Sequence, residues 1–354
     1  MSAYSIEFYR LNIANNSFDY MGACFTFLNL YYDFLLDGIG TCTFDLNTKD
    51  MFANEPHLRR MSTVIVLKNG NTPLWSGVIG DVTGKFEDVG GTITVQAYSP
   101  LYWLKFRYTP KSVIYSQIDQ EAIAWSLIST SQANTNGTLL MNQGVNAASV
   151  LRDRIYSYGL ISDSLINLSN VIAGFDFQFT PVFNASGRLT SFNFDCFYPA
   201  IGRLRNDLPS LQLGTSVYSV SFDTISSLTN AITTEGAGTG TPISYTNEDS
   251  SSEQAFTRIE EYLPQKDVSV QSTLQTNADS ELNNNKTEGY KIGVQFMPNI
   301  IPSSTLSIGD YLLLNLNMGS YMNFVNRQVR ITKLSVQVDD EGVEYITSEV
   351  TIYG

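Results

Sequence analysis

One histidine, three cysteines and three tryptophans in 354 residues leave little from which to build a reactive centre. His57 sits in Glu55-Pro-His-Leu-Arg-Arg60 with no nucleophile pattern around it. A triad would have to form around that single imidazole, and a histidine-metal cluster without a second one. Cys24, Cys42 and Cys196 lack the close paired spacing of a zinc site and leave one over in any disulfide scheme, so buried free thiols are expected. Basic residues are also scarce, 21 against 34 acidic, and the resulting charge of −13 repels phosphate backbones and anionic lipid heads. Tight nucleic-acid binding is thereby disfavoured, although a negative wall still lets a polyanion slide past. No long apolar run occurs. The most apolar stretch, Ala23 to Leu36, is broken by Asn29 and Asp33, falls short of the ~20 residues that span a bilayer, and reads as two strands. Met1 to Arg10 shows no basic segment followed by an apolar one, so no secretory signal is expected.

What is abundant points to strand. Hydrophobic residues make up 43%, enough for a folded interior, and Tyr and Phe, at 20 each, stand among many Thr, Ser, Val and Ile. The length exceeds what one core usually serves and predicts two to four packed units.

Residues 1–105 read almost wholly as strands. Ser62 to Leu67, the turn Lys68-Asn-Gly-Asn71 and Leu74 to Ile79 have hairpin spacing; Thr92 to Tyr98 alternates after the Asp88-Val-Gly-Gly91 turn, completing a meander. Between 106 and 205 the period changes. Asp119 to Ile128 predicts a helix with Ile118, Ala122, Trp125 and Ile128 or Ser129 near one face and acids in the first turn, where the helix dipole favours them. A second helix is expected from a Ser162 or Asp163 cap through Leu165, Ile166, Leu168 and Ile172 to Gly174. Alternating strands follow at Phe175–Thr180 and Ser191–Phe197, so this block is α+β. After a strand at Ser216–Phe222 come Gly236 to Pro242 and a polar run from Thr246 to Glu253, expected as an exposed loop; Gln254–Tyr262 and Thr276–Lys286 have helical composition, and strands fill most of the remainder.

An internal echo links the two ends. Thr63–Leu67, Leu74–Ile79, an acidic glycine turn at Glu87–Gly91 and a strand ending at Tyr98 have counterparts. These are Tyr311–Asn315, a turn at Met318-Gly-Ser320, Gln328–Thr332, the turn Asp339-Asp-Glu-Gly342 and a strand ending at Tyr353. One small barrel used twice, with other units inserted between the copies, accounts for that order.

Candidate chemistry is sparse. Gly236 to Gly240 lacks the spacing, preceding strand and following helix of a phosphate loop. Glu260-Glu261 point to opposite faces of a strand, and Asp339-Asp-Glu341 fits a hairpin turn better than a calcium loop. The triplets Asn136-Gly-Thr138 and Asn285-Lys-Thr287 are expected by chance in so Asn- and Thr-rich a chain. Trp75, Trp103 and Trp125 lie in regular apolar contexts and read as core rather than as a carbohydrate platform. No catalytic, cofactor-binding or metal-ligating residue is assigned, and an enzyme is not expected.

The order of these features resembles the baseplate hub, or tail-tip, proteins of tailed bacteriophages, the siphophage tail proteins related to the hub of contractile tails. The likeness is carried by Pro73–Ile79 with Ala97-Tyr-Ser-Pro-Leu-Tyr-Trp-Leu104, and by the helix start Gln117–Trp125. It continues with Asp163–Ser169 followed by Phe175-Asp-Phe, and ends with Leu306-Ser-Ile-Gly-Asp310, Arg327–Ile331 and the closing hairpin. The resemblance spans nearly the whole chain, although each motif alone is weak. It implies a mainly β fold with α+β insertions and two tube-type β-barrel domains in one multi-domain chain: residues 1–105; an inserted 106–205; a discontinuous second barrel of 206–232 and 288–354; and an inserted 233–287. It further implies a homotrimer forming a pseudo-sixfold ring at the virion's tail tip, made in the host cytoplasm. Its implied partners are a distal tail or tail tube protein, a tape measure protein, and tip, spike or receptor-binding proteins, with DNA passing through unbound and no stable membrane insertion. A carbohydrate-binding or depolymerising receptor-recognition tail protein is the alternative.

Overall fold

The computed structural model describes residues 4–88, 90–146, 150–171, 173–225, 228–237, 242–266, 268–317 and 323–352. The first third holds β1 (Tyr4–Asn12), β2 (Ser17–Cys24), β3 (Phe27–Leu35), β4 (Thr41–Asn47), β5 (Thr63–Asn69), β6 (Thr72–Glu87) and β7 (Gly90–Tyr98). The middle holds α1 (Leu101–Leu104), β8 (Val113–Asp119), α2 (Gln120–Gln132), β9 (Met141–Gln143), β10 (Leu151–Tyr156), α3 (Ile161–Ser169), β11 (Asp176–Phe183) and β12 (Leu189–Phe197). There follow β13 (Val217–Ile225), β14 (Ala231–Gly236), β15 (Ser244–Glu248), α4 (Ser250–Phe256), β16 (Glu260–Gln265), α5 (Gln271–Asn285) and β17 (Gly289–Phe296). The last strands are β18 (Tyr311–Asn317), β19 (Asn323–Val338) and β20 (Glu344–Ile352).

Alternation explains the strands. In β4, Cys42, Phe44 and Leu46 are buried while Thr41, Thr43, Asp45 and Asn47 turn away from the core, the period-two pattern of a sheet with one solvated face. The apolar stretch Ala23 to Leu36 is split between β2 and β3, as its sequence predicts.

The internal echo is a real repeat. β5, β6 and β7 contain 7, 16 and 9 residues, and β18, β19 and β20 contain 7, 16 and 9. In each copy the long strand pairs through its first half with the short strand, passes a bulge, and pairs through its second half with the last. The bulges match, Ile79/Asp81 in one copy and Ile331/Lys333 in the other. The repeat extends beyond the meander: β7 pairs β4, which pairs β3, and β20 pairs β17, which pairs β13. Both β3 and β13 have nine residues, and Tyr32-Asp33 of one falls at the same place as Phe222-Asp223 of the other.

These copies are not two separately closed barrels. Antiparallel pairing of β19 with β3 joins them into one 12-stranded sheet running β13-β17-β20-β19-β3-β4-β7-β6-β5-β1-β2, with β18 on β19. One apolar core serves both, reaching from Ile6, Phe8 and Phe44 to Ile292, Leu314 and Val350. A second core packs the back of the first copy, through Tyr9, Val64 and Val78, against α2, α3 and the small sheet β11-β12-β9. The parallel and antiparallel ladders of β15-β14-β16 carry α5 on Ile232, Ala278 and Leu282.

Several expectations need correction. Strands β5, β6 and β7 form the expected meander, but it does not extend over the first strands, because β4 pairs β7 and β1 pairs β5. The buried side of α2 is Gln120, Ile123, Ala124, Leu127, Ile128 and Ser131; Ile118 is exposed and Trp125 is half-buried, because the helix packs on two sides. Helix α3 starts one residue before Ser162, with Leu160 at the cap position and no side-chain cap. The polar run 246–253 is not loop but the end of β15 and the start of α4, Asp249 accepting from the Ser252 N–H. Residues 260–262 are strand, not helix. Strand β12 does not alternate strictly, since both of its faces are covered. Val89, Ile172, Gly238 to Thr241, the Met318–Ser320 turn and Tyr353 lie outside the described residues.

The first-turn acid of α2 behaves unlike the helix-dipole expectation. Asp119 caps the helix, accepting from the Glu121 and Ala122 N–H groups, but Glu121 itself is buried and neither of its oxygens has a hydrogen-bond partner among the described residues. Burial first, then the charge of Asp119, pushes its carboxyl up to about 7. The folded state therefore holds a proton that the unfolded chain releases above pH 4.5, and stability is lost as pH rises towards 7. Glu121→Met is expected to raise the unfolding free energy at pH 8 by about 1–3 kcal/mol, and by much less at pH 4. Urea denaturation at the two pH values checks this.

Candidate assembly surface

The eight strands β13-β17-β20-β19-β3-β4-β7-β6 form one uninterrupted wall. Its inner side chains, including Leu334, Val336, Tyr32, Phe44 and Val95, enter the shared core. Its other face is set by the intervening residues and is polar, largely uncharged and mildly acidic: Thr41, Thr43, Thr92, Thr94 and Gln96 on one copy, Ser335, Gln337, Thr347 and Thr351 on the other. Its lysines are each met by an acid, Lys291 by Glu349 at 2.7 Å, Lys333 by Asp33 at 3.7 Å and Lys85 by Glu87 at 2.7 Å. Asp45 accepts from Thr94 Oγ1 and Asn29, and Asp81 accepts from the Tyr98 hydroxyl and pairs with Arg60. Such a face presents a polyanion with hydroxyls and amides but few uncommitted cations.

The wall ends in two open edges. Among the described residues, β13 pairs with β17 and otherwise only through a Leu213–Val217 bridge at its first residue, and the second half of β6, from Asp81 to Glu87, pairs only with β7. Phe86 on that edge is 74% exposed and Tyr218 on β13 is 64% exposed. Long unpaired edges bearing aromatic residues are what assembling proteins use and monomers blunt.

Buried charges tie the wall to the middle of the chain. Asp310, ahead of β18, accepts from Arg205 Nη1 at 3.0 Å, from the Arg203 N–H at 3.1 Å and from the Ser307 N–H at 3.2 Å. Asp176, opening β11, accepts from the Ile201 N–H at 2.6 Å and pairs with Arg330 of β19. Asp37, in the β3–β4 turn, accepts from the Phe177 N–H at 2.8 Å. A cleft of about 910 Å³ opens beside these groups, lined by Tyr32, Phe34, Leu74, Gln178, Arg203 and Ile308 among others.

The residues examined for chemistry in the sequence are scattered. His57 packs edge-on against Phe8 and Phe52, its Nδ1 lies 2.8 Å from Asn54 Oδ1, and burial holds its pKa below the ordinary histidine value. Cys24, Cys42 and Cys196 are buried free thiols, as expected, all pushed up first by burial. Trp75 and Trp103 are core, donating to the Asp33 and Met61 carbonyls. Glu260 pairs with Arg258 while Glu261 accepts from Thr229 Oγ1. Asp339 folds its own hairpin turn by accepting from the Glu341 and Val343 N–H groups. Among the described residues no three His, Cys, Asp or Glu side chains converge as a metal site. The free edges and the partners of the buried Asp310 and the half-buried Asp37 escaped sequence reading; the local signals were Ser-Ile-Gly-Asp310 and the Asp37-Gly38 turn.

A doubled five-strand unit in one wall, with an α+β insertion between the copies, gives a fold similar to that of solved phage tail proteins. Among solved structures that share it, the 43 kDa tail protein of prophage MuSo2 from Shewanella oneidensis aligns with a TM-score of 0.62 at 11% identity, over 99% of this chain and 98% of that one. The tail protein of Neisseria meningitidis MC58 aligns at 0.59 and 10% identity, over 99% and 96%. The Escherichia coli c3393 protein, described as a type VI secretion component with structural similarity to the T4 tail proteins gp27 and gp5, aligns at 0.53 and 12% identity, over 93% and 74%. No family model and no curated protein matches the sequence.

Proposed function

We propose that this chain is a structural virion protein, the baseplate hub at the distal end of a phage tail. Three copies form a pseudo-sixfold ring that joins the tail tube or distal tail protein to the tip and leaves a channel for DNA. The carrying observation is the doubled five-strand unit, since a chain that contains one tube unit twice needs three copies, not six, to match a hexameric tube. Residues 1–105 and the discontinuous 206–232 with 288–354 are the two tube units, and 106–205 and 233–287 the insertions. End-to-end likeness to prophage tail proteins in both directions supports the assignment. The polar face of the wall suits a lumen that DNA crosses without sticking. Tape measure, tip, spike or receptor-binding proteins are the expected neighbours.

Mass photometry of the full chain, alone and with its tail neighbours, tests the reading. A species at three times the 39.3 kDa chain mass is expected. A chain that stays monomeric and never enters a ring or tail tip refutes it.

A further inference from the structure

The open edges of the wall are complementary in a way that only the repeat reveals. Inside one chain, the two copies are joined where the second half of β19 lies antiparallel to β3, with Lys333 opposite Leu35, Leu334 opposite Phe34, Ser335 opposite Asp33 and Val336 opposite Tyr32. The repeat makes β6 the counterpart of β19 and β13 the counterpart of β3. Among the described residues, Asp81–Lys85 of β6 and Ser221–Thr224 of β13 have no strand on the corresponding side. The surface that joins the copies within a chain is thus present a second time, split between the two ends of the wall.

We infer that Asp81–Lys85 of one chain pairs antiparallel with the β13 strand of a second copy, repeating the internal β19–β3 seam. Aligning the bulges at Ile79/Asp81 and Ile331/Lys333 sets the register: Thr83 opposite Asp223, and Val82 opposite Thr224. Burial agrees. At the internal seam Leu334, Val336 and Tyr32 are fully buried, whereas Val82 and Phe222 at the open edges pack on the same core but remain partly exposed. A strand added at that edge completes the core the way β3 completes it beside β19. Lys85 falls diagonal to Asp223, as Lys333 does to Asp33, while the nearby Asp81 already has Arg60. The contact is head-to-tail, β6 of one copy to β13 of the next, so it propagates until rotation closes a ring.

This inference rests on the ring proposed above, and the experiment separates the two. Thr83 and Asp223 are exposed, and the three native thiols are buried, so new cysteines at these positions report on the seam alone. Opposed residues of antiparallel strands bring Cα atoms within about 4.5–5.5 Å, inside disulfide range. Full-length Thr83→Cys/Asp223→Cys is exposed to copper-phenanthroline with oxygen as the two-electron oxidant, and analysed by non-reducing electrophoresis and mass photometry. A ladder ending at three linked chains is expected. Thr83→Cys mixed with Asp223→Cys should give linked dimers only, and neither variant alone any. Three-chain particles that do not cross-link overturn this seam and leave the hub reading standing. Monomers throughout, with and without tail neighbours, overturn both.

Discussion

Asp310→Ala is expected to lower the unfolding free energy by about 3–5 kcal/mol, the cost of removing one partner of a buried ion pair. The carboxylate and the Arg205 guanidinium are both nearly sealed, with side-chain exposures of 5% and 6%. Removing the carboxylate takes the acceptor from the Arg203 and Ser307 N–H groups and leaves Arg205 Nη1 with the Thr305 carbonyl alone. Arg205 keeps Asp207, but that acid is more than half exposed and does not replace an interior partner. The surroundings resist collapse around the gap. Gly202, at φ +94°, packs so tightly on the Gly309 carbonyl that a Cβ there would lie 2.1 Å from its oxygen. Urea unfolding should show a lower midpoint at unchanged slope, and added salt should not rescue it, because a buried pair is little screened. A loss under 1 kcal/mol would mean that the linker at 201–207 does not hold the second copy in place.

That cluster also shows what a sequence can and cannot display. Strand periodicity is local, so Thr41–Asn47, Thr63–Leu67 and Tyr311–Asn315 announce themselves by alternation, and the order of strands and turns exposed the repeat. Helix α2 was legible from Asp119 onwards because its cap is local too. Its buried face was not, because two partners from distant parts of the chain decide it. Arg205 and Asp310 stand 105 residues apart, and Ser335 meets Asp33 across 302 positions; nothing in either neighbourhood marks the pairing. The open edges were illegible for the same reason: a strand reads alike whether one or both of its sides are occupied. In the insertion, Thr246–Glu248 looked like loop because a small sheet with one solvated face tolerates Ser, Thr and Asn.

Stability should fall as pH rises from 4 to 8, and Asp37→Asn should remove most of that fall. Asp37 faces Asp176 at the meeting of the first copy, the middle sheet and Arg330 of the second copy. Burial first, then the charge of Asp176, pushes the Asp37 carboxyl up to about 8, with Arg330 and the Phe177 N–H only partly opposing the rise. A raised carboxyl means that the folded protein keeps a proton the unfolded chain gives up near pH 3.8. Between those values unfolding releases the proton, so alkali favours the unfolded chain; below 3.8 both states hold it and above 8 neither does. Discounted for partial exposure of the turn, the swing is roughly 3 kcal/mol. Asparagine reproduces the protonated acid. It accepts from Phe177, donates towards Asp176, and tolerates the positive φ of 49° that Asp37 adopts. At pH 4 the variant should match the parent within about 1 kcal/mol, and at pH 9 exceed it by roughly 3. The slope that remains belongs to Glu121, so adding Glu121→Met should flatten it further. A stability difference between Asp37→Asn and parent that stays constant from pH 5 to 9 would show that Asp37 does not titrate in this range, and that the three units meet without a shared proton.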